Sequence, residues 1–228
     1  MNENQNNKKP VFDRRTRPAK SPLSREAIIE KSLELLAKDG LSGFSLRKVA
    51  AMLDTGPASL YVYIANLDEL YVLLLDHAFG KIDIPKKSDQ NWREKLLAIL
   101  SSYTKTLLKW PGLGQISMTT IPNGPNALAL MEEVLKLLLA GGLDPSRAAW
   151  ALDSLLLYSS SIACEQDLQR DRKDPLNAID HTLQNISSDK FPNLFTYKKE
   201  LLAGGERFLW ALNVMINGFF ITAVDDRQ

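Results

Sequence analysis

From residue 24 onward, apolar positions recur every three or four residues, the spacing that draws a stripe along a helix. Over 25–38 the stripe is Ile29, Leu33 and Leu36, flanked by Ile28 and Ala37. Ser24 stands at the N-cap, Glu26 in the first turn and Gly40 just past the end. Ser45 heads a second, short helix with Leu46, Val49, Ala50 and Leu53 on one face. Asp54, Thr55 and Gly56 form a turn, and Pro57 suits the first position of a third helix, where its missing N–H costs nothing. Asn66 with Glu69 three residues on matches a capping box and opens a fourth helix to residue 79. Longer helices are predicted over 92–109, 126–140, 145–167, 175–187 and from 201 or 205 to 220, with Asp144 and Pro145 opening the third of these. No window alternates as a strand would, and no repeat is visible. The pattern predicts an all-α chain in two parts, residues 23–80 and 81–228, preceded by a polar arm over 1–22. Pro85 and the polar residues of 80–91 mark the boundary.

The chain has 228 residues, 45% hydrophobic and 24% charged, enough apolar mass for a true core. The net charge is only +1, but its distribution is uneven. Residues 1–66 carry eleven Lys or Arg against seven Asp or Glu, while the remaining 162 carry 17 against 20. A basic first quarter is what a nucleic-acid face requires. One Cys excludes a disulfide scaffold and a Cys-based zinc site. The charge-free stretches 110–131 and 208–224 are broken by Pro, Gly or Asn, so no membrane span is predicted. The first 22 residues have no apolar core of a signal peptide, which with the single Cys predicts a cytoplasmic protein.

Helices two and three, joined by a three-residue turn, have the spacing of a helix-turn-helix. Val49 and Leu53 face Leu60 and Ile64, which leaves Ser59, Val62 and Tyr63 outward, with Tyr61 and residues 57–58 at the rim. Small residues at the N-terminal end of such a helix permit close approach to the major groove, and Ser and Tyr hydroxyls bond base edges or phosphates. Arg47 stands where the first of the two helices meets a DNA backbone.

The runs SREAIIEKSLELLAKDG (24–40), FSLRKVA (44–50), PASLY (57–61), YIAN (63–66) and DEL (68–70) resemble the N-terminal domain of the TetR family of bacterial repressors. Fainter similarity extends over WR (92–93), LKWPG (108–112), NGPN (123–126), GLDP (142–145) and the last helix. The resemblance implies a homodimer bound to a double-stranded DNA operator, with a small-molecule effector pocket in the C-terminal half and repression relieved by that ligand. Carried over by position, the DNA-facing residues are Arg47, Thr55, Gly56, Pro57, Ala58, Ser59, Tyr61 and Tyr63. One departure is Leu67, where the family commonly has a Lys that clamps a phosphate. Arg14, Arg15, Arg17 and Lys20 of the arm either reach DNA in its place or serve only to solubilise the chain.

In the C-terminal half, the helices over 148–164 and 208–220 are apolar on nearly every face, so each needs burial on every face. One side meets the core and the other a partner subunit; Leu152, Leu156, Leu209, Leu212 and Ile216 are the residues assigned to that interface. Candidates for an apolar pocket with a few polar anchors are His77, Tyr103, Leu107, Ile116, Met118, Met131, Leu135, Tyr158, Ser161 and Glu165, each of which also reads as plain core.

Enzymatic chemistry is thin. His77 and His181 lie far apart and neither has metal-ligand spacing; no phosphate loop or nucleophile elbow appears. Cys164 lies in an apolar helix, and His77 beside Asp76 cannot form a dyad, because adjacent helical residues do not face each other. No cofactor or metal is expected. Two function classes remain: a ligand-released transcriptional regulator, and a DNA-binding factor of the same fold without a small-molecule effector, regulated by a protein partner or architectural. An empty, closed cavity in the C-terminal half discriminates between them.

Overall fold

The computed structural model describes residues 22–85, 91–170, 175–202 and 207–222, and every regular element among them is helical. The basic arm over 1–21 lies outside the described residues, as do 86–90 of the boundary segment. α1 (Arg25–Asp39), α2 (Leu46–Met52) and α3 (Pro57–Leu60) build the N-terminal head, and α4 (Leu67–Phe79) runs from it. The larger part is built from α5 (Trp92–Leu107), α6 (Leu113–Thr119), α7 (Pro125–Ala140), α8 (Pro145–Gln169), α9 (Pro175–Gln184), the short α10 (Pro192–Thr196) and α11 (Lys198–Leu202), and α12 (Arg207–Ile221).

Helix starts follow local chemistry. Ser24, Ser45, Asn66, Asn91 and Asp144 each accept a bond from the backbone N–H three residues on, which satisfies one of the orphan donors of the first turn. Asn66 receives the N–H of Glu69 at 2.8 Å, and the Glu69 carboxylate reaches back to the N–H of Ala65. In the head, Ile28, Leu33, Leu36, Val49, Ala50, Leu60, Ile64 and Leu70 form a closed core. The turn between α2 and α3 places Asp54, not Gly56, in the left-handed region, at φ 49°.

α8 is the axis of the larger part, packed by α5, α6, α7 and α12. α6 was not predicted: its seven residues fall in a stretch whose Gly and Pro read as breaks. It forms because it lies against α8 so closely that a Cβ on Gly114 would sit 2.7 Å from the backbone nitrogen of Cys164. α12 docks through α5 and α8. Arg93 on α5 donates to Asn213 Oδ1 (3.2 Å) and Asn217 Oδ1 (2.6 Å), and Arg147 donates to the Phe220 carbonyl at 3.2 Å. Among the described residues no helix is long and apolar enough to cross a membrane.

Candidate DNA-reading head and effector cavity

The reading surface begins with what the core leaves outside. Leu60 and Ile64 are fully buried against α2, so Pro57, Ala58, Tyr61 and Val62 face solvent, the last two at 55% and 79% exposure. Thr55 and Ser59 are half-buried at the edge, and Gly56 is exposed with open space where a Cβ would stand. Tyr63 is only half outward, where the helical register predicted it fully so. α3 ends at Leu60, and the following turn lays the Tyr63 ring partly against the core. Its carbonyl is held from the start of α1: Arg25 Nε and Nη2 donate to it at 3.2 and 2.9 Å, and Nη2 also pairs with Glu69 at 3.2 Å. Nothing in the spacing of Arg25 announced this role.

Arg47 is exposed on α2 and makes no ion pair among the described residues, whereas Lys48 beside it is engaged by Asp39 at 2.7 Å. That hydrogen bond holds the Asp39 carboxyl below its ordinary value, the local field of Lys48 and Lys38 adding to it. Leu67, at the start of α4, is half-buried against the core.

The second feature is a cavity of about 370 Å³ between the last turn of α4, α6, the start of α7 and the middle of α8. Its wall includes Tyr103, Met118 and Met131 of the predicted set, together with Phe79, Leu130 and Ser160, which the sequence did not single out. Tyr103 is buried and its hydroxyl lies 2.8 Å from Ser160 Oγ. Burial pushes its phenol above the ordinary value, against the opposing hydrogen bonds of Ser160 and Ser117. Asp153 is the one charged side chain among the described residues of the wall.

The other predicted pocket residues lie elsewhere. Leu107 and Ile116 are fully buried core, and Leu135 is half-buried against it. Tyr158 stacks on Phe208 at 6.0 Å, Ser161 donates to the Tyr158 carbonyl, and Glu165 pairs with Arg207. His77 is half-buried on α4 and does not line the cavity. The predicted interface set also needs correction. Leu152 and Leu156 line the cavity, and Leu212 and Ile216 are fully buried inside the protomer; of the five only Leu209 is exposed. The outward apolar stripe is instead Trp150 of α8 with Leu209, Trp210, Val214 and Ile221 of α12; Leu157 of α8 is also exposed but belongs to the cavity wall. Because both helices are apolar all round, periodicity did not choose between their faces.

Cys164 is half-buried, and desolvation with the charge of Asp167 raises its thiol pKa, the opposite of what a nucleophile needs. No group of three His, Cys, Asp or Glu among the described residues could hold a metal ion.

Residues 84–222 match the family described as "Tetracyclin repressor-like, C-terminal domain". The chain belongs to the TetR family. The fold agrees with solved TetR-type structures. Apo ActR from Streptomyces coelicolor superposes with a TM-score of 0.79 at 29% identity, covering 87% of this chain and 97% of that one. ActR in complex with actinorhodin gives 0.80 at 28% identity, covering 88% and 98%. Two curated relatives are each 34% identical: an HTH-type transcriptional regulator of Saccharopolyspora erythraea over 134 residues, and the HTH-type transcriptional repressor DrrR1 of Streptomyces coeruleorubidus over 140. Each match takes 59% of this chain and little more than half of the relative, 56% and 52% respectively.

Proposed function

We propose that this TetR-family chain is a sequence-specific DNA-binding transcriptional repressor, acting as a homodimer and released from its operator by a small apolar or amphipathic ligand. One observation carries the reading: α4 joins the two features. Its N-cap Asn66 directly follows the reading segment, and its last residue, Phe79, is part of the cavity wall about 20 Å away at 1.5 Å per residue. The cavity favours a small-molecule effector over the alternative of a factor without one, whose side chains would fill that space. Its lining is mostly apolar and aromatic, with hydroxyls at Tyr103, Ser117 and Ser160 and a single negative charge, so neutral or cationic ligands suit it better than anions. The ActR complex with actinorhodin supports ligand binding by a protein of this fold.

DNA contacts are assigned to Arg47, Thr55, Gly56, Pro57, Ala58, Ser59, Tyr61 and Tyr63. The open space at Gly56 supports this, because the fold itself does not require a glycine there. Sequencing of genomic fragments retained by the purified protein tests the proposal. A near-palindromic site with half-sites about 34–36 Å apart is expected. A metabolite screen against the bound complex then tests release, since only a ligand that prefers the non-binding spacing can shift the equilibrium. Recovery of random fragments, or ligands that occupy the cavity without changing DNA affinity, refutes the corresponding half.

A further inference from the structure

We propose that the Asp76 carboxylate is the positioning group through which occupancy of the cavity reaches the reading head. The inference rests on the effector reading above and adds a specific mechanical link to it. Asp76 is on α4, 50 residues before the helix it serves. Its Oδ1 accepts the backbone N–H of Asn126 at 2.9 Å and of Ala127 at 3.0 Å, and its Oδ2 accepts Asn126 Nδ2 at 3.0 Å.

These are the bonds that α7 lacks on its own. Its N-cap is Gly124, which has no side chain to offer, and Pro125 at the first position has no N–H. The first free amides of α7 are therefore capped from another helix, by an anion at the positive end of the helix dipole. The backbone makes room for this. A Cβ on Gly124 would fall 2.2 Å from the Asp76 carboxylate, closer than any real side-chain contact. Gly80 likewise lets α4 approach Asn126, where a Cβ would lie at 3.2 Å.

Both jaws of this clamp border the cavity. Phe79 follows Asp76 by three residues, and Ala127, Leu130 and Met131 belong to the first two turns of α7. A ligand that displaces the start of α7 must either break three charge-assisted bonds or carry the end of α4 with it. At its other end α4 is fastened to the head through Glu69, which pairs with Arg25 while Arg25 also holds the Tyr63 carbonyl. The clamp therefore turns a local shift in the cavity wall into a displacement of the reading segment.

The test uses the full-length protein with N-phenyl-1-naphthylamine, a neutral apolar fluorophore, as probe. Its affinity is read by fluorescence, and hydrogen–deuterium exchange is followed in peptides covering 57–70 and 125–131. In the wild type, saturating probe should change exchange in both regions. In Asp76→Ala the probe affinity should stay within about threefold, with its effect at 125–131 retained and its effect at 57–70 reduced at least about fivefold. Asp76→Asn, which keeps an acceptor for the α7 amides, should fall between the two. Gly124→Ala, which forces the clamp apart without removing its charge, should behave like Asp76→Ala and serves if that variant does not fold. Undiminished transmission in both Asp76→Ala and Gly124→Ala overturns the role of Asp76 while the cavity stands. Probe bound in the wild type with no response at 57–70 overturns the coupling itself. No response at 125–131 overturns the cavity as a binding site and this inference with it.

Discussion

Tyr103 is buried in the cavity wall with its hydroxyl on Ser160, and its phenol titrates above the ordinary 10.0 because burial disfavours the phenolate. A group whose folded pKa is raised lends its stability fully below the unfolded pKa and loses it as pH rises through the folded value. Thermal stability should therefore fall as pH climbs beyond about 10, and Tyr103→Phe should flatten that fall. At neutral pH the same variant should cost about 1 kcal/mol, because the Ser160 hydroxyl loses its partner. Melting temperature against pH for both proteins checks this. At the reading surface, exposure separates residues that sequence spacing treated alike. Arg47→Ala and Tyr61→Ala should weaken DNA binding with unchanged melting, the Arg47 change lowering the salt slope by about 0.9 per subunit. Tyr63→Ala should lower melting temperature as well, since its ring lies partly against the core. Equal behaviour of all three in both assays would remove the distinction. The caps were legible at this scale because each depends on three or four neighbouring residues. Arg25 and Asp76 were not, because their partners are 38 and 50 residues away.

Among the elements, the amphipathic ones with a cap at one end were readable to within a residue or two, α1, α4 and α7 above all. α6 was not. Seven residues cannot form a stable helix from propensity alone, and the tertiary contact that holds α6 leaves no periodic trace. The close approach at Gly114 makes this contact testable. Gly114→Ala places a methyl 2.7 Å from the α8 backbone, which cannot yield as a flexible side chain would. A loss of about 1–3 kcal/mol is expected from overpacking, despite the better helix propensity of Ala. A variant as stable as the wild type in urea unfolding would mean that α6 can slide away from α8. α8 and α12 show the opposite difficulty. Their abundance of apolar residues made burial certain but left the choice of face open, so cavity-lining Leu152 and Leu156 were read as interface.

For the whole molecule, the described exterior of α8 and α12 carries large apolar side chains, with Trp210 68% exposed and Trp150 55%. Isolated exposed hydrophobics are ordinary, but a stripe shared by two neighbouring helices marks an association surface. If the proposed homodimer uses this surface, Trp210→Asp should shift it to monomer in sedimentation at micromolar concentration, and operator affinity should fall with it, because one half-site alone cannot supply the paired contacts. A monomeric wild type, or a dimeric Trp210→Asp with a second change at Trp150 also tolerated, would move the interface elsewhere. Two-part organisation and helical class were visible from composition and period; which surfaces meet was not, because packing partners are chosen by shape.

α3 is a single helical turn, four residues long, with one fully buried side chain, and the Tyr63 carbonyl three residues past its end is held by Arg25. So short a helix has almost no conformational preference of its own, and its geometry is imposed by α1, α2 and α4. The exposed residues to which DNA contact is assigned in the proposal are thus relieved of most of their duty to the fold. Pro57, Ala58 and Tyr61 can be exchanged as a set while the frame around them stays intact, so under the proposed function the operator can drift without passing through unfolded intermediates. On that reading, a chain that keeps the cavity can take a new operator, and one that keeps the operator can change the cavity.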